Sequence, residues 1–137
     1  MINGVITNKL VHLDQILAEL RSLGHLSAER LHQDWLVRRA VERDLQVAVE
    51  IVLDVCHRIL SLLRQSPSGT SRQAVEACAA LGVLSSAQAY VPLVGFRNLV
   101  VHQYEDVNPE ILVDIVNTRL NVLEQFRDEV LAYAAHG

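Results

Sequence analysis

The sequence is poor in aromatic residues, in cysteine and in long apolar runs, and each shortage excludes a class of protein. Aromatic residues make up only 4% of the 137 residues although half are hydrophobic, so a core must consist mainly of aliphatic side chains, as in helix-on-helix packing. Two cysteines, Cys56 and Cys78, lie within apolar helical patterns, and we interpret them as core residues in a reducing compartment. No run of about 18 apolar residues is present, so no membrane-spanning helix is expected.

The sequence also lacks an excess of positive charge. Its net charge is −4, so any nucleic-acid site must be a local basic patch rather than the whole surface. The first fifteen residues, MINGVITNKLVHLDQ, show no basic segment followed by an apolar one, so we expect no signal peptide and a cytoplasmic location. The length suits a single domain over residues 1–137.

Apolar residues recur at helical spacing almost throughout, which predicts an all-α, up-and-down bundle of about five helices. The predicted helices run from about residue 5 to 23, from 27 or 34 to 64, from 71 to 82, from 85 onward, and from 109 to 133. The predicted inward-facing residues are Leu10, Leu13, Ile16, Leu17, Leu20, Val41, Leu45, Ala48, Val52, Val55, Ile59, Leu62, Leu112, Ile115, Leu120, Leu123, Val130 and Leu131. Further valines flank these stripes, which a homodimer or a buried central helix would equally explain.

Local signals mark the helix ends. Ser85 with Gln88 has the spacing of a capping box, and Asn108 followed by Pro109 predicts an N-cap before a first-turn proline. Pro92 and Gly95 lie inside the predicted fourth helix, and we expect them to kink it or to delay its regular start.

Motifs for metals and nucleotides are missing or incomplete. Glu29 and His32 form one E-x-x-H pair, whereas di-iron bundles need two such pairs and further glutamates. His25 could share a face with His32, but no third ligand is evident, and no Walker loop or dinucleotide fingerprint is present. We therefore expect no metal and no cofactor.

The stretch RNLVVHQY, residues 97–104, places four polar groups of different chemistry in one helical segment. Histidine, here His102, titrates near neutral pH and can move protons, whereas the guanidinium of Arg97 stays charged and grips phosphate with a planar fork. Together they suit cleavage of RNA by its own 2′-hydroxyl, which needs no metal. Residues five apart on an ideal helix point about 140° apart, so the two converge only if arginine reaches around, the helix distorts, or a second chain contributes.

A second basic segment lies upstream, at Arg38, Arg39 and Arg43. Arg38 and Glu42 have the spacing of an ordinary solvated ion pair, and a charged outer face is the simpler interpretation of this segment. The functional interpretation is a guanidinium strip that holds phosphates. Trp35, the only tryptophan, is expected to pack in a core or an interface rather than to stack on a base.

The pattern R-N-x3-H-x-Y resembles the signature of the HepT toxins of HepT–MntA toxin–antitoxin systems, within the HEPN superfamily of helical ribonucleases. The segments RRAVERDLQVAVEIVLDV and AALGVLSSAQAYVPLVGFRNLVVHQYEDVNPEIL are similar to the family's second helix and central stretch. The resemblance implies a homodimer whose two motifs line a shared cleft, and a metal-independent endoribonuclease with Arg97 and His102 as its catalytic pair. Asn98 would orient that pair, and Tyr104 would be the tyrosine that the nucleotidyltransferase antitoxin MntA modifies with AMP.

Two other interpretations stay open. The chain could be a non-catalytic helical subunit that binds substrate for a nucleotidyltransferase or serves as its scaffold, although such a subunit has no need for Arg97 and His102 together. It could also be a purely structural helical adaptor, for which loss of His102 would change stability slightly and nothing else.

Overall fold

The structure, a computed structural model, describes residues 4–67, 69–102 and 107–136, with the backbone alone for residues 100–102 and 136. Within these ranges the chain forms seven helices and no strand, which confirms the predicted all-α class. The helices are α1 (Gly4–Ser22), α2 (Ala28–Gln33), α3 (Trp35–Leu62), α4 (Ser71–Ala80), α5 (Val91–His102), α6 (Pro109–Thr118) and α7 (Leu120–His136). None of these helices is long and apolar enough to cross a bilayer.

Helix α3 is the centre of the bundle, and it contacts each of the other six described helices. Its predicted stripe is buried from Val41 to Ile59, and residues beside the stripe, such as Val49 and Leu53, are buried as well. A central helix therefore accounts for the width of its apolar surface, which was one of the two explanations left open. Two predicted inward residues near helix ends are wrong, since Leu62 and Leu131 are exposed.

The number of helices exceeds the prediction because two predicted helices are each divided. Asp34 separates α2 from α3, and its carboxylate accepts the Val37 N–H at 3.2 Å as the N-cap of α3. Arg119 separates α6 from α7. Just before it, the Thr118 hydroxyl donates to the Asp114 carbonyl oxygen at 2.6 Å, a type of bond that bends helices.

Most of the predicted helix ends are confirmed. Ser27 caps α2, and Asn108 caps α6 with Pro109 as its first residue. Gly24 and Gly82 follow α1 and α4 with φ of 68° and 83°, a left-handed conformation that glycine adopts without steric cost.

The capping box predicted at Ser85 is wrong. Residues 85–90 form no regular helix, and α5 begins only at Val91. Pro92 therefore falls in the first turn of α5, where proline is tolerated. The Ser85 hydroxyl instead donates to the Glu129 carboxylate of α7, and the Gln88 N–H donates to Ser86. The expectation of a delayed helix start is therefore confirmed.

Tyr90 fixes the position at which α5 begins. Its side chain is fully buried, its hydroxyl donates to Glu129 at 2.7 Å, and its ring meets Phe126 edge-on at 5.7 Å between centroids. Burial first, and then the hydrogen bond with the Glu129 carboxylate, raise the pKa of Tyr90, so this hydroxyl stays protonated. The start of α5 is thus attached to α7.

The two cysteines are core residues, as predicted. Cys56 of α3 and Cys78 of α4 are both buried free thiols. The Cys78 sulfur lies 3.6 Å from the Cys56 carbonyl oxygen, where the two helices pack.

Candidate catalytic site

Helix α5 carries three of the four polar residues of the predicted motif on one continuous α-helix. Leu93, Val94 and Phe96 form its buried face against the core, and Arg97 follows directly. The backbone of His102 ends the helix, and Tyr104 lies outside the described residues. The fold therefore places the backbone of Arg97 and His102, the predicted catalytic pair, on a helix anchored by apolar packing.

Arg97 reaches across the helix interface to a carboxylate on α3. Its Nε lies 3.6 Å from Oε1 of Glu50, and the two side chains are 35% and 49% exposed. This separation is within ion-pair range but longer than a hydrogen bond. The carboxylate thus approaches the Nε edge of the guanidinium, which is distinct from its terminal Nη1–Nη2 fork.

The regularity of α5 narrows the three routes by which Arg97 and His102 could converge. All twelve residues from Val91 to His102 are α-helical, so no distortion rotates one position toward the other. The two positions remain about 140° apart around the helix axis. Convergence then requires either a long reach by the arginine or a second chain.

Asn98, the predicted orienting residue, is exposed beside Arg97 on the same helix. Its predicted role toward the catalytic pair depends on His102, whose side chain lies outside the description. That role stays a prediction.

Glu50 also belongs to a groove between α1 and α3, and Arg97 therefore stands at the border of that groove. Lys9 and His12 of α1 and Arg43, Glu50, Asp54 and Arg58 of α3 line this α1–α3 groove. Lys9 and Arg58 contact the Asp54 carboxylate at 2.9 and 2.8 Å. Partial burial alone would raise the pKa of Asp54, but the bonds with Arg58 and Lys9 hold it below its usual value. The groove is consequently mixed in charge rather than uniformly basic.

The predicted guanidinium strip is divided between two surroundings. Arg38 and Arg39 both face Glu42, with nitrogen–oxygen distances of 3.9 and 3.4 Å. The Arg38–Glu42 pair has the predicted spacing, but its side chains are less than one fifth exposed, so the expectation of a solvated pair is wrong. Arg43 alone of the three lines the α1–α3 groove.

Glu50 is the residue of this site that sequence reasoning missed. It precedes Arg97 by almost fifty positions and has no motif spacing to it. The contact arises only because α5 packs across α3. No signal in the sequence alone could have connected the two.

The remaining polar candidates do not assemble into a site. In the described part of the chain, no three His, Cys, Asp or Glu side chains are grouped as metal ligands. Glu29 accepts a hydrogen bond from Gln33 at 3.2 Å within α2. Trp35 is 64% exposed, so it is not in this chain's core, and its location in an interface stays a prediction.

Comparison with known proteins gives one family for nearly the whole chain. The family model described as "Ribonuclease HepT-like" matches residues 13–130, which include the motif. The mRNA nuclease HepT of Shewanella oneidensis is 24% identical over 132 residues, covering 95% of this chain and 98% of that protein. The tRNA nuclease HepT of Aphanizomenon flos-aquae is 26% identical over 107 residues, covering 77% of this chain and 73% of that protein.

A solved structure shows the same fold. The tri-AMPylated Shewanella oneidensis HEPN toxin, solved in complex with an MNT antitoxin, superposes with a TM-score of 0.83 at 24% identity. The alignment covers 96% of this chain and 99% of that one. The helical architecture predicted from the family resemblance is thereby confirmed.

Proposed function

Since the chain belongs to the HepT-like ribonuclease family, we propose that it is the toxin of a toxin–antitoxin pair and cleaves RNA without a metal ion. The observation that carries the proposal is the family match over residues 13–130, inside which R-N-x3-H-x-Y is intact. The two curated relatives are named as nucleases of mRNA and of tRNA, which supports RNA as the substrate class.

The proposed reaction is attack of a ribose 2′-hydroxyl on the adjacent phosphorus. His102 takes the 2′-proton, the 2′-oxygen bonds to phosphorus, and the bond to the 5′-oxygen of the next nucleotide breaks. The products are a 2′,3′-cyclic phosphate and a 5′-hydroxyl, with the leaving oxygen taking up a proton. Arg97 binds the phosphate and stabilises the negative charge that grows in the transition state. Asn98 orients the pair.

A homodimer is part of the proposal because one continuous helix separates the two catalytic positions around its axis. In a dimer with both motifs at a shared cleft, Arg97 of one protomer and His102 of the other can face the same phosphate. Arg43, in the α1–α3 groove, supplies a further contact for RNA. Arg38 and Arg39 are weaker candidates, because Glu42 already lies beside both of them.

The proposed regulator is an MntA-type nucleotidyltransferase antitoxin. The structural relative is an AMPylated HEPN toxin in complex with an MNT antitoxin, which supports this partner. We place the modification on Tyr104, two residues after His102. The phenol oxygen attacks the α-phosphorus of ATP, pyrophosphate leaves, and the added AMP excludes RNA by its bulk and negative charge.

The test is a cleavage assay with purified, unmodified protein on total RNA in EDTA. We expect cleavage by the wild type and none by Arg97→Ala or His102→Ala. Arg72→Ala on α4 and His57→Ala on α3 are matched controls, since each removes the same kind of side chain, arginine or histidine, from an exposed position outside the motif. Both should cleave as the wild type does. If unmodified wild type leaves RNA intact, the chain is instead a non-catalytic subunit.

A further inference from the structure

Glu50 contacts the proposed phosphate-binding arginine, and nothing in the motif accounts for it. We propose that Glu50 is a positioning residue, which holds the Nε edge of Arg97 so that its Nη1–Nη2 fork faces the RNA phosphate. This inference rests on the proposed ribonuclease function and adds a third residue, on a different helix, to its site.

The position of Glu50 suits this role because its backbone cannot move easily. It lies in the middle of α3, between Val49 and Ile51, which are both buried. Arg97 follows buried Phe96 directly on α5. The contact thus joins two well-packed helices, so the carboxylate offers Arg97 a fixed reference point.

The chemistry of the guanidinium gives the contact a direction. An arginine presents two edges that can each receive an anion, namely Nε with one Nη, and the two Nη groups together. A carboxylate at Nε occupies the first edge and leaves the second for phosphate. A flexible side chain that is held in one orientation loses less entropy when the transition state forms.

Stability does not explain the pair. Both side chains are partly exposed, and ion pairs of this kind contribute between about 0 and 1 kcal/mol. The neighbouring carboxylate of the α1–α3 groove, Asp54, is held instead by Lys9 and Arg58. The two carboxylates, one helical turn apart, therefore have different partners, and Asp54 offers a matched comparison.

The proposal predicts opposite effects on binding and on turnover. The Glu50 charge repels RNA phosphates, so removing it should not weaken substrate binding. The same change frees Arg97 from its fixed orientation and should slow the chemical step. A purely structural residue would not separate KM from kcat in this way.

The experiment compares Glu50→Gln with Asp54→Asn in the full chain, on one short RNA in EDTA. We expect Glu50→Gln to lower kcat by about ten- to a hundredfold with KM unchanged or lower, whereas Asp54→Asn, in the same groove, should change kcat by no more than about twofold. A Glu50→Gln protein with wild-type kcat, or one that loses activity through a higher KM, overturns the proposal.

A second measurement separates this inference from the proposed function. Nitrogen-15 NMR of the Arg97 Nε–H, assigned by its loss in Arg97→Ala, reports how strongly the motion of the guanidinium is restricted without RNA. Its order parameter should fall in Glu50→Gln and not in Asp54→Asn, and an unchanged value contradicts the positioning role. If Arg97→Ala still cleaves RNA, the proposed catalytic role of Arg97 fails, whatever the NMR result.

Discussion

The ionised form of Asp44 is unfavourable in the folded protein, because Asp44 on α3 lies beside the carboxylate of Glu19 on α1. Partial burial, and then the hydrogen bond and the charge of Glu19, raise its pKa to about 6. A raised carboxyl pKa favours the folded state only while the group is protonated. Its contribution is therefore complete below about pH 4 and is lost as pH rises through 6.

Asp44→Asn should accordingly stabilise the protein at pH 8 and leave it nearly unchanged at pH 4. We expect a gain of about 1 kcal/mol at pH 8, a value reduced for the partial exposure of Asp44. Urea unfolding at both pH values measures it. Glu76→Gln on the exposed side of α4 is the control, and it should not change the pH dependence. An equal gain at both pH values would contradict the carboxylate-pair explanation.

Tyr104→Phe tests the proposed regulation at a single oxygen atom. Without the phenol oxygen, AMP has no acceptor, whereas His102 and Arg97 are unchanged. We expect this variant to cleave RNA as the wild type does and to remain active after incubation with antitoxin and ATP. Tyr133→Phe on α7 is the matched control and should be silenced normally. Loss of cleavage in a folded Tyr104→Phe protein would assign the hydroxyl a role in catalysis.

The functional groups of individual residues predicted more of the proposed site than their spacing along the chain did. Arg97 and His102 could be selected from sequence because their functional groups are specific and their motif is local. Glu50 could not, because many glutamates on amphipathic helices are simply solvated and its partner is distant in sequence. The expectation that the Arg38–Glu42 pair is solvated is wrong for a related reason. Spacing predicted its pairing with Glu42, but burial of that pair depends on the surrounding helices.

At the scale of helices, local caps and the late start of α5 were predictable, whereas the break between α6 and α7 at Arg119 was not. Ser27, Asp34 and Asn108 act through side-chain bonds to N–H groups two or three residues away. The delayed start of α5 depends on Tyr90 and Ser85 meeting Glu129 of α7, about forty residues later in the chain. Such tertiary bonds override a capping-box spacing that is locally sound.

Asn117 provides a tertiary attachment of the same kind, between α6 and the connection that follows α1. Its side-chain oxygen accepts the Leu26 N–H at 3.1 Å, and its amide nitrogen donates to the Leu26 carbonyl oxygen at 2.8 Å. Leu26 itself is fully buried. Asn117→Ala removes both partners at once and leaves a partly buried backbone N–H and C=O unpaired.

We expect Asn117→Ala to lower the free energy of unfolding by about 1–3 kcal/mol. Asn121→Ala, at an exposed asparagine four residues later in α7, should change it by no more than about 0.5 kcal/mol. Denaturant titration of both variants gives the comparison. Equal effects would show that the paired bonds to Leu26 add nothing to stability.

At the scale of the whole molecule, the proposed function requires two positions about 140° apart around one helix to act on one phosphate. Helix α5 is regular from Val91 to His102, and Arg97 turns toward α3. Among the side chains that the structure describes, Arg97 supplies the arginine half of the proposed site, directed toward α3. A second chain, related by a two-fold axis, would bring the complementary half.

Mixing two inactive chains tests this arrangement directly. Arg97→Ala and His102→Ala should each form dimers without activity. After the two proteins are unfolded together and refolded, half of the dimers contain one chain of each kind. If Arg97 of one protomer acts with His102 of the other, each mixed dimer has one intact site, and the mixture regains about a quarter of wild-type activity. If both residues act within one chain, every site keeps one lesion and the mixture stays inactive. Native mass spectrometry of differently tagged chains verifies that mixed dimers form, so an inactive mixture that contains them would exclude the shared site.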